Sequence, residues 1–255
     1  MRGSWLLLRA ALSMAIVWPA AGQSQDVGAV VSGFIPISEA RGEDIVAKVP
    51  LPPGPWEVID SRPRRSIGNE AADLREVRLI QLANEGEGPV LHSAIEITMK
   101  VGGPNIAWND EPCKRTPVLA KNDYGTGLFK QKCLTLISDS FLQNNNRVTQ
   151  QMLADFAKRG VRHDFNSLAL TYTRYGDFGY FLIVTQHLFP SRYGQGNPRI
   201  AIANESPWHP SRVNTDPQRK RLVDAIFTYG EKAANAYDQA YFRKDPLPIE
   251  ELRLE

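Results

Sequence analysis

The apolar pattern is densest over residues 167–190, SLALTYTRYGDFGYFLIVTQHLFP. It reads as two β-strands joined by a short turn containing glycine. On the second strand Phe181, Ile183, His187 and Phe189 share one face, and Tyr180, Leu182, Val184 and Leu188 share the other. Apolar residues on both faces predict a central strand covered on both sides. Residues 90–101 alternate instead. Leu91, Ile95, Ile97, Met99 and Val101 fall on one face, and His92, Glu96, Thr98 and Lys100 on the other. Period two with one polar face predicts a half-buried antiparallel strand. Its hairpin partner is residues 75–83, and the turn is NEGEGP, residues 84–89.

Further strand-like segments are residues 27–37, 45–49, 56–59 and 124–138. The run LPPGP at 51–55 stops a strand, because proline fixes φ and lacks an amide donor. Residues 61–73, 102–123 and 191–216 read as connections. A helix is predicted over 148–159, where Val148, Met152 and Phe156 recur every four residues between Asn144–Asn146 and Gly160. A longer helix is predicted over 217–242, opened by Asp216 and Pro217. Residues 245–255 are expected to fray. Strands, helix, two strands and a long helix predict an α+β domain: a single antiparallel β-sheet packed by two main helices. This order resembles the Mog1/PsbP-like domains. A strand pair closing on Phe189-Pro190 is also similar to uncharacterised exported proteobacterial proteins. The resemblance implies fold and export and assigns no site residue.

Residues 1–22 carry Arg2 and Arg9, a short apolar run and the small residues Ala20, Ala21 and Gly22. That pattern predicts a secretory signal peptide cleaved after Gly22 or after Ala21, leaving one domain over 23–255. No cysteine follows the site, so no lipoprotein anchor is expected, and no later stretch is apolar enough to span a bilayer. The expected location is periplasmic or secreted. The chain has 30 basic and 28 acidic residues. Without the two leader arginines the charges balance, which argues against a general nucleic-acid binder. Arg62, Arg64 and Arg65 cluster beside prolines and read as an exposed loop.

Cys113 and Cys133 are the two cysteines. An even count in an exported chain predicts a disulfide; a redox pair and two free thiols are the alternatives. No zinc-ligand spacing, G-x-S-x-G elbow or P-loop occurs, and no metal or cofactor is expected. His187 and His163 are the candidate general bases, each needing a carboxylate partner. His187 on an apolar face also reads as a packed core histidine, and His163-Asp164 as a solvated loop. Aromatic and arginine residues gather around the strand pair. Arg174, Tyr175, Phe178, Arg192, Tyr193 and Trp208 are the candidate binding residues, suited to an envelope protein, peptide or glycan. The alternative is that these tyrosines pack against the last helix. The leading expectation is a non-catalytic binding or assembly module of the bacterial envelope. The rival is an envelope hydrolase using His187 or His163.

Overall fold

The two strands of residues 167–190 lie inside an eight-stranded antiparallel sheet. The computed structural model describes residues 25–39, 44–65, 72–103, 111–125, 131–143, 146–176, 179–196 and 206–253. The leader and Phe178 lie outside these residues. The strands are β1 (Val30–Val31), β2 (Phe34–Ser38), β3 (Ile45–Pro50), β4 (Trp56–Arg65), β5 (Asp73–Glu85), β6 (Gly88–Gly102), β7 (Ala120–Gly125), β8 (Lys132–Asp139), β9 (Ser167–Tyr175) and β10 (Phe181–Leu188). The helices are α1 (Glu111–Lys114), α2 (Arg147–Arg159), α3 (Pro210–Val213) and α4 (Pro217–Tyr241). The large sheet runs β1-β4-β5-β6-β10-β9-β8-β7, and β2 and β3 form a separate hairpin. The fold is α+β, with α2 and α4 as its main helices. No helix among the described residues is long and apolar enough to cross a membrane.

The two faces of the sheet differ. One carries Val77, Ile97, Leu134, Leu170, Tyr172 and Val184 and packs in one core with α4 and the β2–β3 hairpin. Helix α4 lies very close to the sheet. A Cβ added at Gly230 would sit 2.7 Å from a methyl of Leu170 and 3.1 Å from Leu134. Glycine costs the helix about 1 kcal/mol, and here it permits the contact. The other face is polar along the middle of the sheet. Asp60 pairs across to Arg78 and Arg78 to Glu96. Glu96 pairs to Thr185, Thr185 to Thr171, and Thr171 to Thr135. Helix α2 covers one end of this face, through a smaller cluster with Ile80, Leu91, Phe141, Phe156 and Phe189.

Both helix starts follow the capping chemistry of the sequence. Asn146 Oδ1 accepts from the Thr149 amide at 2.9 Å, and Gly160 ends α2 at φ 64°. Asp216 accepts from the amides of Gln218 and Arg219 at 3.0 and 3.2 Å. Cys113 and Cys133 form the disulfide, with Cα atoms 5.8 Å apart, and tie α1 to β8.

Four expectations change. Residues 61–65 continue β4 rather than forming a loop: Glu76 takes Arg62 at 3.1 Å and Arg64 at 2.6 Å. Pro63 is tolerated because β1 and the residues just before it reach β4 no further than Val58, so that among the described residues this edge has no second strand beside it. A bulge at His92 puts Leu91 on the α2 face, away from Ile95, since one extra residue inverts the alternation. The strand expected over 124–138 divides into β7 and β8, which pair with each other. The segment expected to fray packs back along α4, with Ile249 buried and Leu252 against the main core.

Candidate functional site

The turn end of the β9–β10 hairpin meets the end of α4, and the two bring cations and rings together. Strand β9 supplies Arg174, β8 supplies Lys132, β7 supplies Tyr124, and Tyr180 precedes β10. Tyr241 closes α4, and Phe242, Arg243 and Lys244 follow it. The Arg174 guanidinium lies 5.5 Å from both the Tyr241 and the Phe242 ring. Arg243 lies 5.5 Å from Tyr180, Lys244 6.0 Å from Phe242 and Lys132 4.8 Å from Tyr124. Each such contact contributes about 0.5–1 kcal/mol at an exposed site. Lys132 pairs with Asp238, which also accepts from the Tyr172 hydroxyl. Burial and that carboxylate push the Tyr172 phenol well above its ordinary range. Arg174, Arg243 and Lys244 have no ion pair among the described residues. Phe242 is 51 % exposed and Tyr124 is 40 % exposed.

The backbone at this surface is strained. The Lys244 amide donates to the Gln239 carbonyl at 2.9 Å and the Arg243 amide to the Ala240 carbonyl at 3.0 Å. This is a Schellman-type helix end, whose left-handed position glycine usually fills. Arg243 fills it here at φ 57°. A side chain in that conformation costs roughly 1–2 kcal/mol. Strained positions of this kind cluster at functional sites, so Arg243 is a candidate residue.

The structure divides the candidate binding set. Arg174 belongs to the surface just described. Tyr175 is buried with Leu74 and Phe181 at the same end. Arg192, Tyr193 and Trp208 belong to the opposite end of the hairpin and do not join Arg174. Arg192 pairs with Glu85. Tyr193 packs against the main core, and burial with the Glu251 charge pushes its phenol up to about 12. Trp208 is 0 % exposed and is a core residue, not part of an exposed rim. Sequence reasoning missed Phe242, Arg243, Lys244, Lys132 and Tyr124. The run YFRK at 241–244 was the available signal: two aromatic rings followed by two cations at a helix end.

His187 has more partners than its sequence neighbours suggest. Ser167 Oγ lies 3.0 Å from its Nδ1, and Asp139 Oδ2 lies 3.6 Å from the same nitrogen. Glu96 Oε2 lies 3.7 Å from its Nε2, and the Phe141 ring stacks on it at 4.1 Å. Arg78 holds the other oxygen of Glu96 at 2.8 Å. Burial raises the Glu96 carboxyl, but contact with His187 and the Arg78 and Arg115 charges outweigh it and hold the group below its ordinary value. This resembles a serine–histidine–carboxylate line, yet Ser167 is 1 % and His187 2 % exposed. A nucleophile must reach its substrate, and this one is sealed.

His163 lies between Phe156 and Phe165, at ring separations of 5.7 and 5.0 Å, and burial lowers its basicity. The neighbouring Asp164 carboxylate accepts from Ser191. Glu96 and Asp139 face opposite nitrogens of His187, so no single ion touches all three. The metal-compatible grouping among the described residues is Cys113, Asp123 and Cys133, whose sulfurs are joined to each other. No protein-family model matches the chain, and no curated protein or solved structure matches it either.

Proposed function

We propose that the protein is an exported, non-catalytic binding module of a bacterial envelope, and that its contact surface is the cation–aromatic end of α4. The ligand class is an anionic glycan. One observation carries the reading: three cations without a carboxylate partner among the described residues interleave with partly exposed rings. Flat rings stack on the C–H faces of sugars, while guanidinium forks take carboxylate or phosphate oxygens in pairs. The strained Arg243 supports the same reading, because a glycine there would serve the fold better. Export is supported by the leader-like pattern of residues 1–22 and by the disulfide. N-terminal sequencing of the mature chain tests it; an unprocessed chain in the cytoplasm contradicts it.

The binding test is calorimetric titration with an alginate hexasaccharide, using maltohexaose as the neutral control. The expected result is binding of the charged sugar alone, weakening as salt rises. The double variant Arg174→Ala/Arg243→Gly is expected to lose about tenfold in affinity, from two contacts of about 0.5–1 kcal/mol each. Equal binding of both sugars, or an unchanged double variant, rejects the assignment.

The Ser167–His187 contact favours a second reading, the hydrolase. Covalent labelling of Ser167 by a fluorophosphonate probe in the folded protein would establish it. Because both groups are sealed, no labelling is expected.

A further inference from the structure

Where β8 runs on past its last pairing with β7, an open cavity of about 430 Å³ lies beside the sheet. Its polar lining is Lys114, Arg115, Thr116, Ser138 and His209. No acidic residue among the described residues lines it. Three parts of the chain build it: the end of α1 with the residues after it, the end of β8, and the residue that opens α3. The Cys113–Cys133 disulfide pins α1 to β8 just before Lys114 and Arg115, so both cations are tethered to the sheet. The cavity is separate from the cation–aromatic surface. Ser138 stands six residues along β8 from Lys132, roughly 20 Å at the rise of an extended strand.

The hydrogen-bonding groups of the cavity are donors. The Ser211 amide donates to His209 Nδ1 at 3.4 Å, and the Ser211 hydroxyl lies 2.8 Å from the same nitrogen. An amide N–H can only donate, so Nδ1 accepts and the ring proton sits on Nε2. That Nε2 has no hydrogen-bond partner among the described residues. Arg115 is exposed and has no ion pair among them. The neighbouring acids are engaged elsewhere: Asp139 is turned to His187 at 3.6 Å, and Arg78 holds Glu96 at 2.8 Å. Ser138 Oγ is 3.4 Å from Ser206 Oγ. That is longer than the usual hydroxyl–hydroxyl bond of about 2.7–2.8 Å, so Ser138 can turn to another acceptor.

This lining repels a cation and leaves a neutral ligand with too few acceptors. A guanidinium takes oxygens in pairs and an ammonium acts as a point charge. A phosphate monoester offers three terminal oxygens and close to two negative charges, against two oxygens and one charge for a carboxylate. The volume falls within the range of about 300–1,000 Å³ typical of small-molecule sites, which leaves room for more than the phosphate. Pro117, Ile137 and Pro210 supply the apolar wall for that remainder.

We propose that this cavity is a second ligand site, taking a phosphate monoester on a small carrier with an apolar face. The phosphate oxygens accept from Lys114, Arg115 and His209 Nε2, and the carrier lies against the two prolines and Ile137. This proposal stands apart from the glycan reading and survives that reading's failure.

The test is NMR of the histidine rings in full-length mature protein with ¹³C-histidine, titrated with phenyl phosphate at constant ionic strength. The variant His209→Gln identifies the His209 signal by its disappearance. The controls are inorganic phosphate, which lacks the carrier, benzoate, which lacks the tetrahedral dianion, and phenol, which lacks the charge. The expected result is a saturable shift of the His209 signal with phenyl phosphate, weaker binding of inorganic phosphate and benzoate, and no saturable shift with phenol. Arg115→Ala is expected to weaken binding about tenfold, through loss of a charge-assisted contact. Lys114→Ala serves as the second variant, and a loss in either one supports the site. Both side chains are exposed, so circular dichroism should stay unchanged. Inorganic phosphate binding as tightly as phenyl phosphate rejects the monoester. No saturable shift, equal binding of benzoate or phenol, or unchanged binding in both variants overturns the site.

Discussion

The β9–β10 hairpin has two ends built from similar residue types and put to opposite use. At the turn end, Arg174 and Tyr180 meet Tyr241, Phe242, Arg243 and Lys244, and much of that material faces water. At the other end, Ser167, His187, Phe189 and Trp208 are sealed. The sealed end holds the groups that look reactive in sequence, and the open end holds groups that look like an unremarkable helix terminus. Access, more than residue type, decides which end can meet a partner.

Substitutions at the two ends should therefore separate stability from binding. The largest effect is expected from Trp208→Ala, a fully buried ring lost from the core. Urea unfolding should show a loss of about 3–5 kcal/mol, with sugar affinity per folded molecule unchanged. A loss under about 1 kcal/mol would return Trp208 to the surface. Next is Arg243→Gly at the open end. Relieving the left-handed arginine should raise stability by about 1 kcal/mol while affinity falls. A stability loss would remove the strain argument.

Acid sharpens the same contrast at the sealed end. The folded-state Glu96 carboxyl lies below its ordinary value of 4.5. A depressed group contributes stability above its unfolded pKa and loses it as pH falls through the folded value. The wild type should exceed Glu96→Gln in stability at pH 7, and the gap should close below about pH 4.5. A gap that ignores pH would mean that the charge of Glu96 is not what matters. The smallest effect is expected from Phe242→Ala. With half its surface in water, its loss should change stability by no more than about 0.5 kcal/mol, yet weaken sugar binding by a few fold.

Much of the fold was legible because local chemistry specified it. The fourfold spacing of Val148, Met152 and Phe156, the caps Asn146 and Asp216, and the turn before Gly88 each act within a few residues. The candidate sites were less legible because they depend on strand order. Glu96 reaches His187 only because β6 lies beside β10, and Asp139 reaches it from beyond β9. Arg174 meets Phe242 because α4 crosses the sheet at that end. Trp208 shows the converse: its loop has proline and polar neighbours, and only tertiary packing buries it.

The most direct measurement is hydroxyl-radical footprinting of the mature protein with and without a saturating alginate hexasaccharide. Protection is expected at Tyr124, Tyr241 and Phe242, with Tyr193 and Phe141 unchanged. Protection at Tyr193 or Phe141 with none at Phe242, or no protection anywhere, would contradict the assignment of the contact surface to the end of α4.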